Sequence, residues 1–209
     1  MHKLISWCRL SSNEQDIKNN IDSMHVEDAT NTVLESPYGL HALIIYSDSL
    51  TLREFWSFYA KKSIEDKNEF VYLAPFYDTA ESVRKTLSEG HMSIDIQKYE
   101  KSLRIGDSLE KYLDKNGRAF DKESVMNANQ NVVEYANELN KNGASILGDL
   151  GAFLFKNQIQ SLVDYECSLP TKFETNLKGI CLYHQNDFDK LSIEQKKKII
   201  EHHNIAIKI

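Results

Sequence analysis

Long apolar runs are missing from this 209-residue chain. Spanning a bilayer takes roughly 20 consecutive apolar residues, so no transmembrane segment is expected. The amino-terminal stretch MHKLISWCRL has neither the extended apolar core nor the small-residue cleavage site of a signal peptide, which points to a cytoplasmic protein. Cys8, Cys167 and Cys181 are too few, too scattered and odd in number for a disulfide framework. A basic block is absent as well. Lys and Arg total 25 against 31 Asp and Glu, a net charge of −6 that suits neither direct nucleic-acid binding nor a membrane surface. Low-complexity tracts and internal repeats are lacking. What is present, 41% hydrophobic and 27% charged residues, is the composition of a globular protein. The length suits one domain, or one domain with an appendage.

Residues 1–37 are mostly polar and are expected to form an arm, or a docking helix carrying Ile17, Ile21 and Met24 on one face. Ser36-Pro37-Tyr38-Gly39 is a turn signal, and the domain is expected to cover 38–209. Its first run, His41 to Tyr46, reads as a strand buried on both faces, followed by a helix with Leu52, Phe55, Trp56 and Tyr59 inward. Phe70 to Ala74 reads as a second strand. Asp78-Thr79-Ala80-Glu81 resembles a capping box opening a helix that ends at Gly90. Ser93 to Gln97 and Ser102 to Ile105 are strand candidates. A short helix over Ser108 to Lys115 and a long one over Asp121 to Asn142 precede a strand at Ala144 to Leu147. Helix over Phe153 to Cys167, strand over Gly179 to Tyr183, helix over Ser192 to His203 and strand over Ile205 to Ile209 complete the reading. Strands alternating with helices predict an α/β fold: a mostly parallel twisted sheet with helices on both faces.

In such a sheet ligands gather at the carboxyl ends of the strands. The segment after the first strand, Tyr46 to Arg53, has no glycine and no lysine, so it cannot be a phosphate-binding GxxxxGKS/T loop. No CxxC, HExxH or EF-hand spacing is present, so no metal and no cofactor is predicted. His202 and His203, with Glu201, read as a solvated helix end. Cys181, inside an apolar strand, reads as a small core residue. His184 and Asp187 nearby also allow a Cys/His arrangement for nucleophilic or redox chemistry. Asp149, between Gly148 and Gly151, is either a crevice carboxylate or a helix cap. Tyr77 and Asp78 point towards the same crevice.

The order of these segments resembles the MEDS domain, the sensory domain named for methanogens, methylotrophs and the dichloromethane-responsive repressor. His41 and its strand, FVYLAP, DTAESVRKTLSEG, LEKYLDKNGRAFDKESVM, GDLGAFL, Asp164-Tyr165-Glu166, ICLYHQNDF and EHHNIAI carry the likeness. It covers about residues 38 to 209. The resemblance implies a RecA/KaiC-like core without a phosphate-binding loop, and a role in sensing small organic compounds. Where the family often carries a cysteine two residues after the first histidine, this chain has Leu43. No kinase, PAS or DNA-binding module is expected within these 209 residues. The expectation is therefore a stand-alone, non-catalytic sensory module that binds a small organic ligand or a regulatory protein partner at the strand ends, with homo-oligomerisation possible. The candidate binding residues are His41, Asp48, Tyr77, Asp149, Glu166, Cys181 and His203. The alternatives are an enzyme using Cys181 with a histidine, or a protein-interaction scaffold.

Overall fold

A computed structural model describes residues 20–90 and 92–209. Within them β1 (Asp22–Ser23), β2 (His41–Tyr46), β3 (Phe70–Ala74), β4 (Leu103–Ile105), β5 (Ala144–Asp149), β6 (Leu177–His184) and β7 (Ile205–Lys208) form one sheet. The order is β1-β7-β2-β6-β5-β3-β4 and every pairing is parallel. All six residues of β2 are buried, as its unbroken apolar run requires. Alternate residues serve opposite faces. Ala42, Ile44 and Tyr46 join a core built with α1 (Val26–Glu35), α2 (Ser49–Glu65) and α3 (Ala80–Glu89). Leu43 and Ile45 face the other way. That second face is covered by α4 (Ser108–Tyr112), α5 (Lys122–Glu138), α6 (Gly151–Phe155), α7 (Ile159–Ser168), α8 (Gln185–Phe188) and α9 (Ile193–Glu201).

Short polar side chains start the helices. Asp48 accepts from the amides of Leu50 and Thr51, Thr79 from Ser82, Asp121 from Ser124, and Ser192 forms a reciprocal box with Gln195. Left-handed asparagines stop them, because a right-handed helix cannot pass through a positive φ. Asn140 (φ 55°) follows α5, which ends at Glu138, short of Asn142. Asn157 (φ 55°) splits the expected helix over Phe153 to Cys167 into α6 and α7. Ser93 to Gln97 is not a strand: Ile94 donates its amide to the Leu87 carbonyl and folds that stretch onto the end of α3.

The segment before Pro37 adds β1 and α1 to this sheet and core. Met24 donates to the Lys208 carbonyl, and Ala29, Val33 and Leu34 are buried beneath α1. Ile21 and Met24 flank β1 and pack on opposite faces, so they form no helical stripe; Ile17 lies outside the described residues.

One ion pair sits deep in the first face. Lys178 on β6 donates to Glu69 Oε1 at 3.1 Å and to the Leu34 carbonyl at 2.8 Å. Ser145 on β5 donates to Glu69 Oε2 at 2.8 Å, and its oxygen lies 2.9 Å from the Tyr59 hydroxyl. Removing one partner strands the other charge away from water. Glu69→Ala is expected to lower the unfolding free energy by about 3–5 kcal/mol, and Glu69→Leu combined with Lys178→Met by much less. Urea unfolding curves of the three proteins check the difference.

Candidate functional site

Four of the candidate residues converge on the second face. His41 opens β2, Cys181 lies within β6, Glu166 projects from α7, and His203 follows α9. Asn204 locks the two histidines together. Its amide donates to the His41 carbonyl and its side-chain oxygen accepts the His41 amide, both at 2.8 Å. The imidazole centroids stand 4.0 Å apart. Cys181 Sγ lies 3.4 Å from Glu166 Oε2 and 3.5 Å from His41 Nε2. Glu166 Oε2 is in turn 3.7 Å from His41 Nε2 and 3.5 Å from His203 Nε2, and none of these three side chains reaches solvent. Tyr183 donates to the other carboxylate oxygen at 2.5 Å.

This burial overturns the solvated helix end expected for His202 and His203. His203 turns inward with Nδ1 2.7 Å from the Ile199 carbonyl, and His202 Nε2 reaches the Leu169 carbonyl at 2.6 Å. Neither is free in water, because α9 ends against α7 and the Leu169 turn. The location also differs from the expected strand ends. His41 is the first residue of its strand, so the group sits beneath the amino-terminal half of the sheet.

Desolvation governs the titration here. Burial, reinforced by the neighbouring His203 and His202, pushes His41 down to about 2. Burial also lowers His203, against the opposing pull of Glu166. The Cys181 thiol is driven well up by burial and by the Glu166 carboxylate. A nucleophilic cysteine needs the opposite shift.

A second group lies at the carboxyl ends of the strands. Asp149 is the last residue of β5, two residues beyond the expected end, and is fully buried. Its carboxylate accepts from the Tyr46 hydroxyl at 2.6 Å and from the Gly151 amide at 2.9 Å, so it is not presented to an open crevice. Tyr77 is half-exposed, donates to Asp187, and stacks beside His184. Asp48 joins neither group. Its carboxylate is exposed at the start of α2 and is committed to the helix amides.

A more open hollow lies elsewhere. A cavity of about 600 Å³ opens between β3, β4 and α5, lined by Tyr72, Arg104, Lys111, Tyr112, Asn129 and Tyr165 among others. A shallower hollow of about 520 Å³ sits at the ends of β3 and β4, beside Tyr77. Composition offered no signal for the larger one, because its rings come from separate segments such as β3, α4 and α7. Lys111 is half-buried, and burial pushes it down to about 8. Its ammonium lies 5.1 Å from the Tyr72 ring centre and 5.5 Å from that of Tyr112. Among the described residues no carboxylate pairs with it. Lys111, Tyr112, Asn129 and Tyr165 also border the small space beside His41 and Cys181.

Compared with known proteins, residues 40–203 match the family described as MEDS, MEthanogen/methylotroph, DcmR Sensory domain. Among curated proteins, none matches the chain.

The buried Asp149 gives the site a pH signature. Burial raises its carboxyl from 3.8 to about 7, against the bonds from Tyr46 and Gly151. Between those values the unfolded chain releases a proton that the folded chain keeps. Asp149 therefore makes stability fall as pH rises from about 4 to about 7. Three pH units correspond to up to about 4 kcal/mol. Asp149→Asn is expected to remove this slope, so that its unfolding free energy gains on the wild type across that window. Denaturant unfolding at pH 4, 5.5, 7 and 8 measures the gain.

Proposed function

The chain belongs to the MEDS family of sensory domains, and we propose that it senses a small organic molecule held in the cavity between β3, β4 and α5. The cavity is the observation that carries this reading. At about 600 Å³ it falls within the range of small-molecule sites. Its wall combines aromatic rings with charged and polar groups: Arg84, Arg104 and Lys111 against Glu100 and Glu110, with Asn129 beside them. A desolvated ammonium without a carboxylate partner favours a ligand that brings an acceptor, above all a carboxylate. Tyr72 and Tyr112 then supply faces for an apolar or aromatic body.

The cavity also suits signalling. Val132, Val133 and Ala136 pack α5 on the sheet, and the turns of the same helix from Ser124 to Tyr135 border the cavity. A ligand that binds best when those turns close against α4 shifts the balance between two positions of α5. This changes the outer surface of α5 that a partner would read. The raised Cys181 thiol favours this non-catalytic reading over nucleophilic use of the same residue.

Thermal-shift screening of the full chain with small aromatic and aliphatic carboxylates, alcohols and amines is the direct test. A ligand at about 100 times its Kd should stabilise the protein by about 2.7 kcal/mol. Lys111→Met and the cavity-filling Ala128→Phe should each abolish the shift. No shift from any compound, or one that survives both substitutions, overturns the reading.

A further inference from the structure

We propose that His41, Glu166, Cys181 and His203 form a four-coordinate site for a divalent transition metal of the zinc class. The inference does not depend on the organic ligand and concerns a different place in the fold.

Geometry is the first support. Ligand atoms bound at 2.0–2.3 Å in a tetrahedron stand about 3.3–3.8 Å from one another. The separations here are 3.4 Å from Cys181 to Glu166, 3.5 Å from Cys181 to His41, 3.7 Å from His41 to Glu166 and 3.5 Å from His203 to Glu166. One donor atom from each residue lies within 4.8 Å of every other, and all four residues are buried. One thiol, two imidazoles and one carboxylate make a donor set that zinc accepts.

The second support is the orientation of the lone pairs. A carbonyl can only accept, so the contact with Ile199 puts the His203 proton on Nδ1 and leaves a bare lone pair on Nε2. That Nε2 is buried, has no hydrogen-bond partner, and aims at Glu166 Oε2, another acceptor. Two lone pairs facing each other in a dry interior repel unless a cation or proton lies between them. Tyr183 meanwhile holds Glu166 Oε1, fixing the carboxylate so that Oε2 faces the group. Backbone and tyrosine bonds of this kind are how outer-shell partners preset metal ligands.

Charge completes the case. Binding would release the Cys181 thiol proton to solvent, leaving thiolate and carboxylate with two negative charges that a divalent ion neutralises. The small space beside His41 and Cys181 shares Lys111, Tyr112, Asn129 and Tyr165 with the wall of the larger cavity. Four protein ligands fill the coordination sphere, so the metal's role is to join β2, β6, α7 and the turn before β7.

The test uses the full chain, stripped with a chelator and titrated with Co²⁺. One equivalent is expected to give tetrahedral visible bands, a thiolate-to-cobalt charge-transfer band in the near ultraviolet, and a higher Tm. Cys181→Ser should lose the charge-transfer band. His203→Ala should weaken binding at least tenfold. No saturable tetrahedral spectrum, or a charge-transfer band that survives Cys181→Ser, overturns the assignment. If the variants do not fold, X-ray absorption of the zinc-loaded wild type decides: one sulfur at about 2.3 Å with nitrogen and oxygen at about 2.0–2.2 Å supports it, and a shell without sulfur refutes it.

Discussion

A parallel sheet covered on both faces leaves its strands no route to water. Every polar side chain in the middle of such a sheet must find its partner inside, and this constraint organises the protein. On the first face it joins Lys178, Glu69, Ser145 and Tyr59 into one network. At the strand ends it closes Tyr46 onto Asp149. On the second face it gathers His41, Glu166, Cys181, Tyr183 and His203. The first two arrangements pair donors with acceptors. The third ends with an acceptor aimed at an acceptor, which separates it from ordinary core satisfaction.

The sheet was legible in the sequence because burial on both faces writes itself as unbroken apolar runs. His41 to Tyr46 and Phe70 to Ala74 are such runs, and both strands have the expected ends. Helix starts were legible from Asp48, Asp121 and Ser192, whose side chains bond to amides two or three residues on, while the box expected over Asp78 to Glu81 is replaced by a cap from Thr79 to the Ser82 amide. The breaks were not. Asn140 and Asn157 adopt a conformation that asparagine tolerates but does not announce, so the helices were read as longer than they are.

The site was legible residue by residue and illegible as a constellation. His41, Glu166, Cys181 and His203 stand out through the order of family segments, yet local spacing scans find metal ligands only where two lie within a few residues. Here the four residues come from separate parts of the chain, and His41 and Cys181 are separated by 140 positions. Lys178 escaped notice for a related reason. A lysine reads as surface in any composition argument, and only the pairing of β6 with its neighbours carries it inward.

β7 lies between β1 and β2, although it is the last strand in sequence. Its neighbour on one side was made 163 residues earlier, as the contact from Asn204 to His41 records. Until β7 docks, that side of β2 is an unpaired edge carrying Leu43, Ile44 and Ile45, a surface well suited to sticking to another chain. Completion of the sheet therefore waits on β7. A premature stop at or before position 203 would both open that edge and remove His203, turning a translation error into an aggregation-prone polypeptide.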